Sequence, residues 1–589
     1  MSQELLIYLK QAQIHSASAE WAKAGDFYLK ALSLSPNNPD ILNDLGLVFK
    51  NLGGISQALQ CFRSALETIP GHKAAAANLG NLLAALGELE EAEGWLRIAL
   101  SRDNPRSWSN LGALLQAKGE LTQAFQCYER ALKIQPAYAE ILNNMGALRQ
   151  VQGRAAQAMD YFRQAIKIKP DFIGAYRNLL LGALYDPELN LHNHKDLYQN
   201  FAAHFKPPKQ IYSPQLNKRK KIRLGYVSSD FRNHPVARNL ELVFEHRDKE
   251  KFEVYSYADI EIPTAETLKF SQLSDQWRSI YRLTDHELAA QIYQDEIDIL
   301  IILAGRFDRN RPQIALFRPA SIIVSFHEVA TLGLKEIDYL LTDLTLAPAK
   351  TNEYFAERPV HLPWFYIHKP IENKPAPGAL PYCKNLFVTF GSFNNPAKLN
   401  DRVVELWSKL LTQIPNSKLL LKYKNCFKDQ DLQQRIKQIM GQNWERVILK
   451  HSEDDLKNHL ELYQQMDIAL DCFPFSGSTT SFEALSMGIP VITWAGENMV
   501  GRWTASILSA LGRKEWIAYT PEEYLEIAIG LAKDPKELAK IRANLGQEVD
   551  NSRLCQGKRF TRHYERLLSK MITCRNYKLP LNIPPNSHF

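Results

Sequence analysis

The sextet Ser229-Asp230-Phe231-Arg232-Asn233-His234 ends a strand-like run, 222–228, with a histidine in a loop. Histidine titrates near neutral pH, and open parallel sheets bind their ligands at the carboxyl ends of strands. His234 is therefore the leading candidate for a catalytic group. Farther along, Ser476-Gly477-Ser478-Thr479-Thr480 follows a strand-like run ending at Asp471 and precedes a helical stretch, 481–487. Small residues there leave backbone N–H groups and the Thr479 and Thr480 hydroxyls facing an anion such as a diphosphate; the same residues also suit a plain helix N-cap. Lys398, in Gly391-Ser392-Phe393-Asn394-Asn395-Pro396-Ala397-Lys398, follows another strand of the same half and can meet the same anion. Glu483, one turn into the helix, can accept from ribose hydroxyls or remain a surface carboxylate. The one close Asp-x-Asp, Asp429-Gln430-Asp431, precedes a helical stretch and reads as an N-terminal charge pair, not a metal site.

Positioning these groups takes two sheets. From Lys221 onward, short apolar runs alternate with helical stretches. Those at 222–228, 252–257, 297–303, 321–326 and 339–342 read as strands of one parallel sheet, and those at 387–392, 417–423, 447–450, 468–471 and 490–493 as a second. A proline-punctuated stretch, 347–381, separates them, so two doubly wound lobes with a cleft are expected. The helix-rich end, 521–571, is expected to pack back across the lobes. Residues 573–589 read as a loose tail.

The amino-terminal part is a repeat array. Ala24, Ala58, Ala92, Ala124 and Ala158 recur every 34 residues, with one spacing of 32. Gly46, Gly80, Gly112 and Gly146 stand twelve residues before their alanines. Tyr28, Phe62, Tyr128 and Phe162 stand four after, and Pro36, Pro70, Pro136 and Pro170 close the units. This is the tetratricopeptide pattern, in which small residues let paired helices approach, aromatics fill the gap and proline stops the second helix. The third unit carries Leu96 and Asn104 in place of its aromatic and proline, which predicts looser local packing. Residues 173–184 read as the first helix of a capping unit. Asn78, Asn110, Asn144 and Asn178 (Asp44 in the first unit) hold the repeat position that faces the concave groove. Such amides can grip the backbone of an extended peptide, and they also recur in these repeats for structural reasons.

The bulk properties narrow the classes. The 589 residues are 45% hydrophobic, enough for several cores, and the net charge is only +7. The densest basic run, Lys218-Arg219-Lys220-Lys221, lies between expected units and suits a solvated linker better than a nucleic-acid surface. Seven scattered cysteines show neither Cys-x-x-Cys nor zinc-finger spacing, which points to reduced thiols. There is no signal-peptide pattern and no run of membrane-spanning length, so a cytoplasmic protein free of membranes and nucleic acid is expected.

Tetratricopeptide units followed by Gly-Tyr-Val-Ser-Ser-Asp-Phe-x-Asn-His-Pro, Phe-Asn-x-x-x-Lys and Leu-Asp-(x)5-Gly-x-Thr-Thr resemble the protein O-GlcNAc transferases and their SPINDLY-type relatives, over nearly the whole chain. The resemblance implies a helical solenoid (1–184), a transition (185–220), and an α/β GT-B fold whose two Rossmann-like lobes span 221–346 and 385–572, with a linker at 347–384 and the tail at 573–589. It implies an inverting, metal-independent protein O-glycosyltransferase without a cofactor. The donor would be a nucleotide-sugar, UDP-GlcNAc above all, and the acceptor a Ser or Thr of proteins held in the repeat groove. By resemblance His234 is the active-site histidine, acting as base or positioning group. Lys398 neutralises the diphosphate, Asn395 contacts the donor, Thr479 and Thr480 meet the phosphates, and His459 lies by the nucleoside. Glu483 is the acidic ribose ligand and Arg502 the arginine of a Ser-Arg element; Asn78, Asn110, Asn144 and Asn178 hold the acceptor.

Two segments depart from that pattern. Where relatives carry Asp-Leu-x-Gly-His-Thr, this chain has Ile302-Leu303-Ala304-Gly305-Arg306-Phe307. Their Gly-Tyr-Pro-Gly-Thr-x-Gly loop is here His327-Glu328-Val329-Ala330-Thr331-Leu332-Gly333. In the family these segments border sugar and acceptor, so the nucleotide half is kept and the sugar half rebuilt. The alternatives are a nucleotide-binding adaptor without transfer, or a transferase for another sugar such as fucose or for a non-protein acceptor.

Overall fold

A computed structural model describes residues 2–216, 219–451 and 456–576. Lys218 of the basic run and the expected tail from 577 onward lie outside the described residues. The chain divides into two compact units: Met1–Leu148 with Gln164–Pro170, and Arg149–Arg163 with Asp171–Phe589.

The first unit is built of helical hairpins, from Gln3–Ala17 with Trp21–Leu34 to Pro105–Lys118 with Leu121–Ile134. Second helices end at Leu34, Thr68 and Ile134, two residues before Pro36, Pro70 and Pro136, because the residue before a proline is driven out of helical geometry. The small positions are tight: a Cβ on Gly46 would sit 2.5 Å from Phe62 Cε1, and one on Gly112 2.7 Å from Tyr128 Cε1. The third hairpin is not the loose one expected. A Cβ on Gly80 would come within 2.7 Å of Leu96 Cγ, so leucine fills the gap as closely as the aromatics do. Without a proline stop, the helix there is simply shorter, Leu89–Ile98. Asn104 caps the next helix through Arg106 N at 3.0 Å, with Pro105 in its first turn.

The second unit carries Ile173–Ala183, the expected capping helix, and then Leu191–His204, a helix within the stretch expected as a transition. Two parallel sheets follow. In the first, β1 (Ile222–Ser228), β2 (Phe252–Ala258), β3 (Gln276–Ser279), β4 (Ile299–Leu303), β5 (Ile322–Phe326), β6 (Tyr339–Thr342) and β7 (Arg358–His361) lie in the order β3-β2-β1-β4-β5-β6-β7. In the second, β8 (Val388–Ser392), β9 (Ser417–Lys422), β10 (Val447–Lys450), β11 (Ile468–Leu470), β12 (Val491–Trp494) and β13 (Ile517–Ala518) lie in the order β10-β9-β8-β11-β12-β13. Each strand order reverses once, between β1 and β4 and between β8 and β11. Such switch points open a crevice at the carboxyl ends, where ligands bind.

Central strands such as Ile299–Leu303 are buried throughout, as a sheet covered by helices on both faces requires. The helical end does cross the lobes. Helix Gly557–Asn576 packs on Pro235–His246 of the first, with Tyr564 and Tyr226 hydroxyls 3.1 Å apart. Arg542, in helix Pro535–Asn551, donates to Met466 O at 2.9 Å in the second. Among the described residues no helix is long and apolar enough to cross a membrane.

Candidate active site

The first lobe delivers His234 at the carboxyl end of β1, on one side of its switch point. The residue caps helix Pro235–His246, its Nδ1 accepting from Val236 N–H at 3.3 Å. Asp230 Oδ1 stands 3.6 Å from the same Nδ1. Burial pushes the Asp230 carboxyl up, against the pull of His234 and a hydrogen bond from Asn310. Asn310 comes from beyond β4, across the switch point, and its Nδ2 donates to Asp230 Oδ2 at 2.9 Å. His327, after β5, is buried in left-handed backbone (φ 58°). Burial, and then the charge of neighbouring His234, depress its pKa to about 3, so it stands neutral.

The second lobe joins most of its expected residues into one network. Lys398, beyond β8, donates to Ser476 O at 2.7 Å and Asn394 Oδ1 at 3.3 Å. Burial lowers its pKa, opposed by nearby Asp471. Thr480, across the switch point after β11, donates to the same Asn394 Oδ1 at 3.1 Å. The Tyr463 hydroxyl lies between Thr480 O at 3.3 Å and Glu483 Oε2 at 3.1 Å, and His459 Nε2 donates to that Oε2 at 3.1 Å. Lys422, at the end of β9, donates to His459 Nδ1 and lies over the Phe393 ring, 5.4 Å from its centroid. Burial depresses the Lys422 pKa to about 8. Lys422, Asn394 and Tyr463 are additions to the sequence reading. Lys422 ends β9 at the same carboxyl edge of the sheet beyond which Lys398 lies, and that placement was the signal available.

Helix Thr479–Ser486 has no side-chain cap, since Ser478 makes no capping bond. Its first-turn N–H groups are thus available to an anion, while the Thr480 hydroxyl is already donated to Asn394 Oδ1. The preceding loop is pinned by Asp471, which accepts from Gly477 N at 2.6 Å. Asn395 spends its side-chain oxygen on Ala397 N at 3.1 Å. Arg502 is committed to the protein: its Nε donates to Leu346 O at 2.9 Å, Nη1 to Glu497 O at 2.6 Å and Nη2 to Glu353 at 2.9 Å. It ties the second lobe to the end of the first.

Asn78, Asn110 and Asn144 lie in the first unit and Asn178 in the second, all half-buried. The Asn78 amide donates to Asn43 Oδ1 of the preceding repeat at 2.8 Å, so that member of the row also stitches repeats together.

Among the described residues, two groupings could suggest a metal. Asp429 caps helix Gln430–Met440, accepting from Leu432 N at 2.9 Å, while Asp431 pairs with Arg149 and Arg154. Asp230, His234 and Asp308 gather ligand atoms within 4.8 Å, but Asp308 faces Arg232 at 2.5 Å and Asp230 is held by Asn310. Protein donors occupy both sets of carboxylates.

Two parallel α/β lobes, with a histidine at one switch point and a lysine beside an uncapped helix terminus at the other, make up the GT-B fold. The chain belongs to glycosyl transferase family 41, whose sequence profile matches residues 193–369 and 382–564; tetratricopeptide repeat profiles match 43–107 and 103–171. It is 34% identical over 359 residues to the probable UDP-N-acetylglucosamine–peptide N-acetylglucosaminyltransferase SPINDLY of Hordeum vulgare, covering 58% of this chain and 37% of that protein. Against the Arabidopsis thaliana SPINDLY protein the identity is 33% over 356 residues, 58% of this chain and 38% of that one. The chain thus spans well under half the length of these curated relatives. An O-GlcNAc transferase mutant of Thermobaculum terrenum superposes with a TM-score of 0.79 at 29% identity, covering 86% of this chain and 99% of that one.

Proposed function

We propose that this chain is an inverting protein O-glycosyltransferase that moves N-acetylglucosamine from UDP-N-acetylglucosamine to Ser or Thr hydroxyls. The repeats through 184 would hold the acceptor, and the lobes at 221–346 and 385–572 would carry out transfer in the cytoplasm. The observation that carries this reading is Lys398, joined to Thr480 through the accepting Asn394 Oδ1, beside an uncapped helix N-terminus: an ammonium and backbone N–H groups suited to a diphosphate. Lys398, Thr479, Thr480 and the helix N–H groups stabilise the departing diphosphate without a metal, the task a bound cation performs elsewhere. His459 and Glu483, steadied by Lys422 and Tyr463, receive the nucleoside end, with Asn395 beside them. Arg502 holds the lobes in register behind the donor, and His234 assists removal of the acceptor proton, directly or through water.

The test is calorimetry with UDP, GDP and their sugars in EDTA, followed by transfer from labelled nucleotide-sugars to proteins of a lysate. The expected result is metal-free UDP binding and GlcNAc transfer. Transfer of another sugar would correct the donor; nucleotide binding with no transfer from any donor would make the chain an adaptor.

A further inference from the structure

The Nδ1 of His234 has two suitors. It accepts from Val236 N–H at 3.3 Å, and it faces Asp230 Oδ1 at 3.6 Å. An imidazole whose Nδ1 accepts a hydrogen bond carries its own proton on Nε2, where it donates and cannot receive a proton. As a helix cap, His234 is therefore in the wrong tautomer for a base.

The other suitor is rigidly held. Asp230 is 1% exposed, as is Asn310. The Asn310 amide spends every group: Nδ2 donates to Asp230 Oδ2 at 2.9 Å and Ala304 O at 3.0 Å, while Oδ1 accepts from Ser229 N at 2.7 Å and Ser228 Oγ at 3.1 Å. A backbone N–H on one side and a carbonyl on the other fix the amide's orientation. Arg177 clamps the Asn310 backbone carbonyl as well. The other titratable and charged groups facing the pair are Asp308, matched by Arg232, and neutral His327.

We propose that Asp230, fixed by Asn310, is the positioning residue for His234: a small ring movement trades the Val236 bond for Nδ1–H···Asp230 and turns Nε2 into the base. This rests on the transferase reading. The acceptor hydroxyl then gives its proton to Nε2 as its oxygen bonds to the anomeric carbon. The bond from that carbon to the diphosphate breaks with its electron pair on the leaving group. The imidazolium so formed faces the Asp230 carboxylate and later loses its proton to water. Asp230, buried and engaged by Asn310, acts through His234 and does not touch the acceptor.

The experiment compares wild type, Asp230→Asn and Asn310→Ala by kinetics and by ring-nitrogen NMR of histidine-labelled protein, with the His234 signal assigned from His234→Gln. UDP affinity is expected to stay near wild type in both variants, and melting temperature near wild type in Asp230→Asn, whereas Asn310→Ala, which strands the buried partners of its amide, should melt lower. Asp230→Asn should lower kcat by about 10³-fold or more with KM for the donor little changed, the scale seen when a histidine is held in the wrong tautomer. Asn310→Ala should lower kcat about tenfold and move the acid limb of kcat/KM to higher pH, because Asp230 without its donor protonates more readily. In the free protein above pH 7, wild type should show both tautomers of His234 and Asp230→Asn only Nε2–H. A tautomer ratio unchanged by Asp230→Asn, or a loss of kcat in Asp230→Asn matched by lost UDP affinity and stability, would overturn the proposal. Because the ring spectra need no turnover, a wild type that transfers nothing sinks the transferase reading alone.

Discussion

Arg306 Nε lies 3.0 Å from Glu328 Oε2, and both side chains are fully buried. These are the charged newcomers in the two segments that depart from the family pattern, and each is the other's partner. Glu328 also accepts from Arg306 N at 3.0 Å, while the guanidinium donates to Ala330 O at 3.1 Å and stands 5.6 Å from the Tyr198 ring centroid. The Arg306 guanidinium turns inward and braces the 327–333 segment. The two departures are one coupled change.

Removing one member of such a pair strands a buried charge, at a cost of about 3–5 kcal/mol, while removing both costs far less. Arg306→Met alone is expected to destabilise the protein by about that amount in urea denaturation, and Arg306→Met with Glu328→Gln by clearly less than the sum of the single changes. Strict additivity would mean that the pair contributes nothing as a pair.

For the donor half, Lys398→Ala should weaken UDP binding by about 10- to 100-fold, the equivalent of about 1.5–3 kcal/mol for a hydrogen bond to a charged group. Calorimetry with and without EDTA checks both the loss and its independence of metal. Unchanged affinity would remove Lys398 from the phosphate site.

Lys422 is expected to make nucleotide binding pH-dependent. Its pKa is depressed to about 8 from the usual 10.5, so the ammonium beside His459 and Glu483 is present at pH 7 and mostly gone by pH 9. UDP affinity is expected to fall severalfold over that interval in wild type. In Lys422→Met it should already be low at pH 7 and nearly level to pH 9. An equally steep profile in the variant would assign the titration to another group.

Most legible strands have apolar runs buried on both faces; the half-buried edge strand β10 was legible through Val447-Ile448-Leu449, and two-residue β13 was too short to read. β3, Gln-Trp-Arg-Ser, and β7, Arg-Pro-Val-His, were not legible, because half-buried edge strands need no apolar run, and Pro359 is tolerated only there. β7 accordingly lies inside the stretch that reads as a linker. The site follows the same logic. His234, Lys398 and Thr480 sit directly after strands, where topology alone marks them. Asn310 reaches Asp230 across eighty residues, and Glu328 reaches Arg306 across twenty-two; no local pattern links such partners, which meet only because β1, β4 and β5 are neighbours in the sheet.

The asparagine row calls for variants chosen from the structure. Asn78 should be left alone, because its amide already bonds Asn43 between repeats, and its loss would mix solenoid damage with acceptor loss. Asn110 and Asn144 changed together to Ala remove two amides, each worth about 0.5–1.5 kcal/mol net if it holds acceptor backbone. The apparent KM for a long protein acceptor should then rise about tenfold or more. UDP affinity, donor hydrolysis by water and transfer to a short peptide confined to the lobes should be unchanged. Equal losses for short and long acceptors would trace the effect to a disturbed solenoid. No loss for either would return these asparagines to a purely structural place in their repeats.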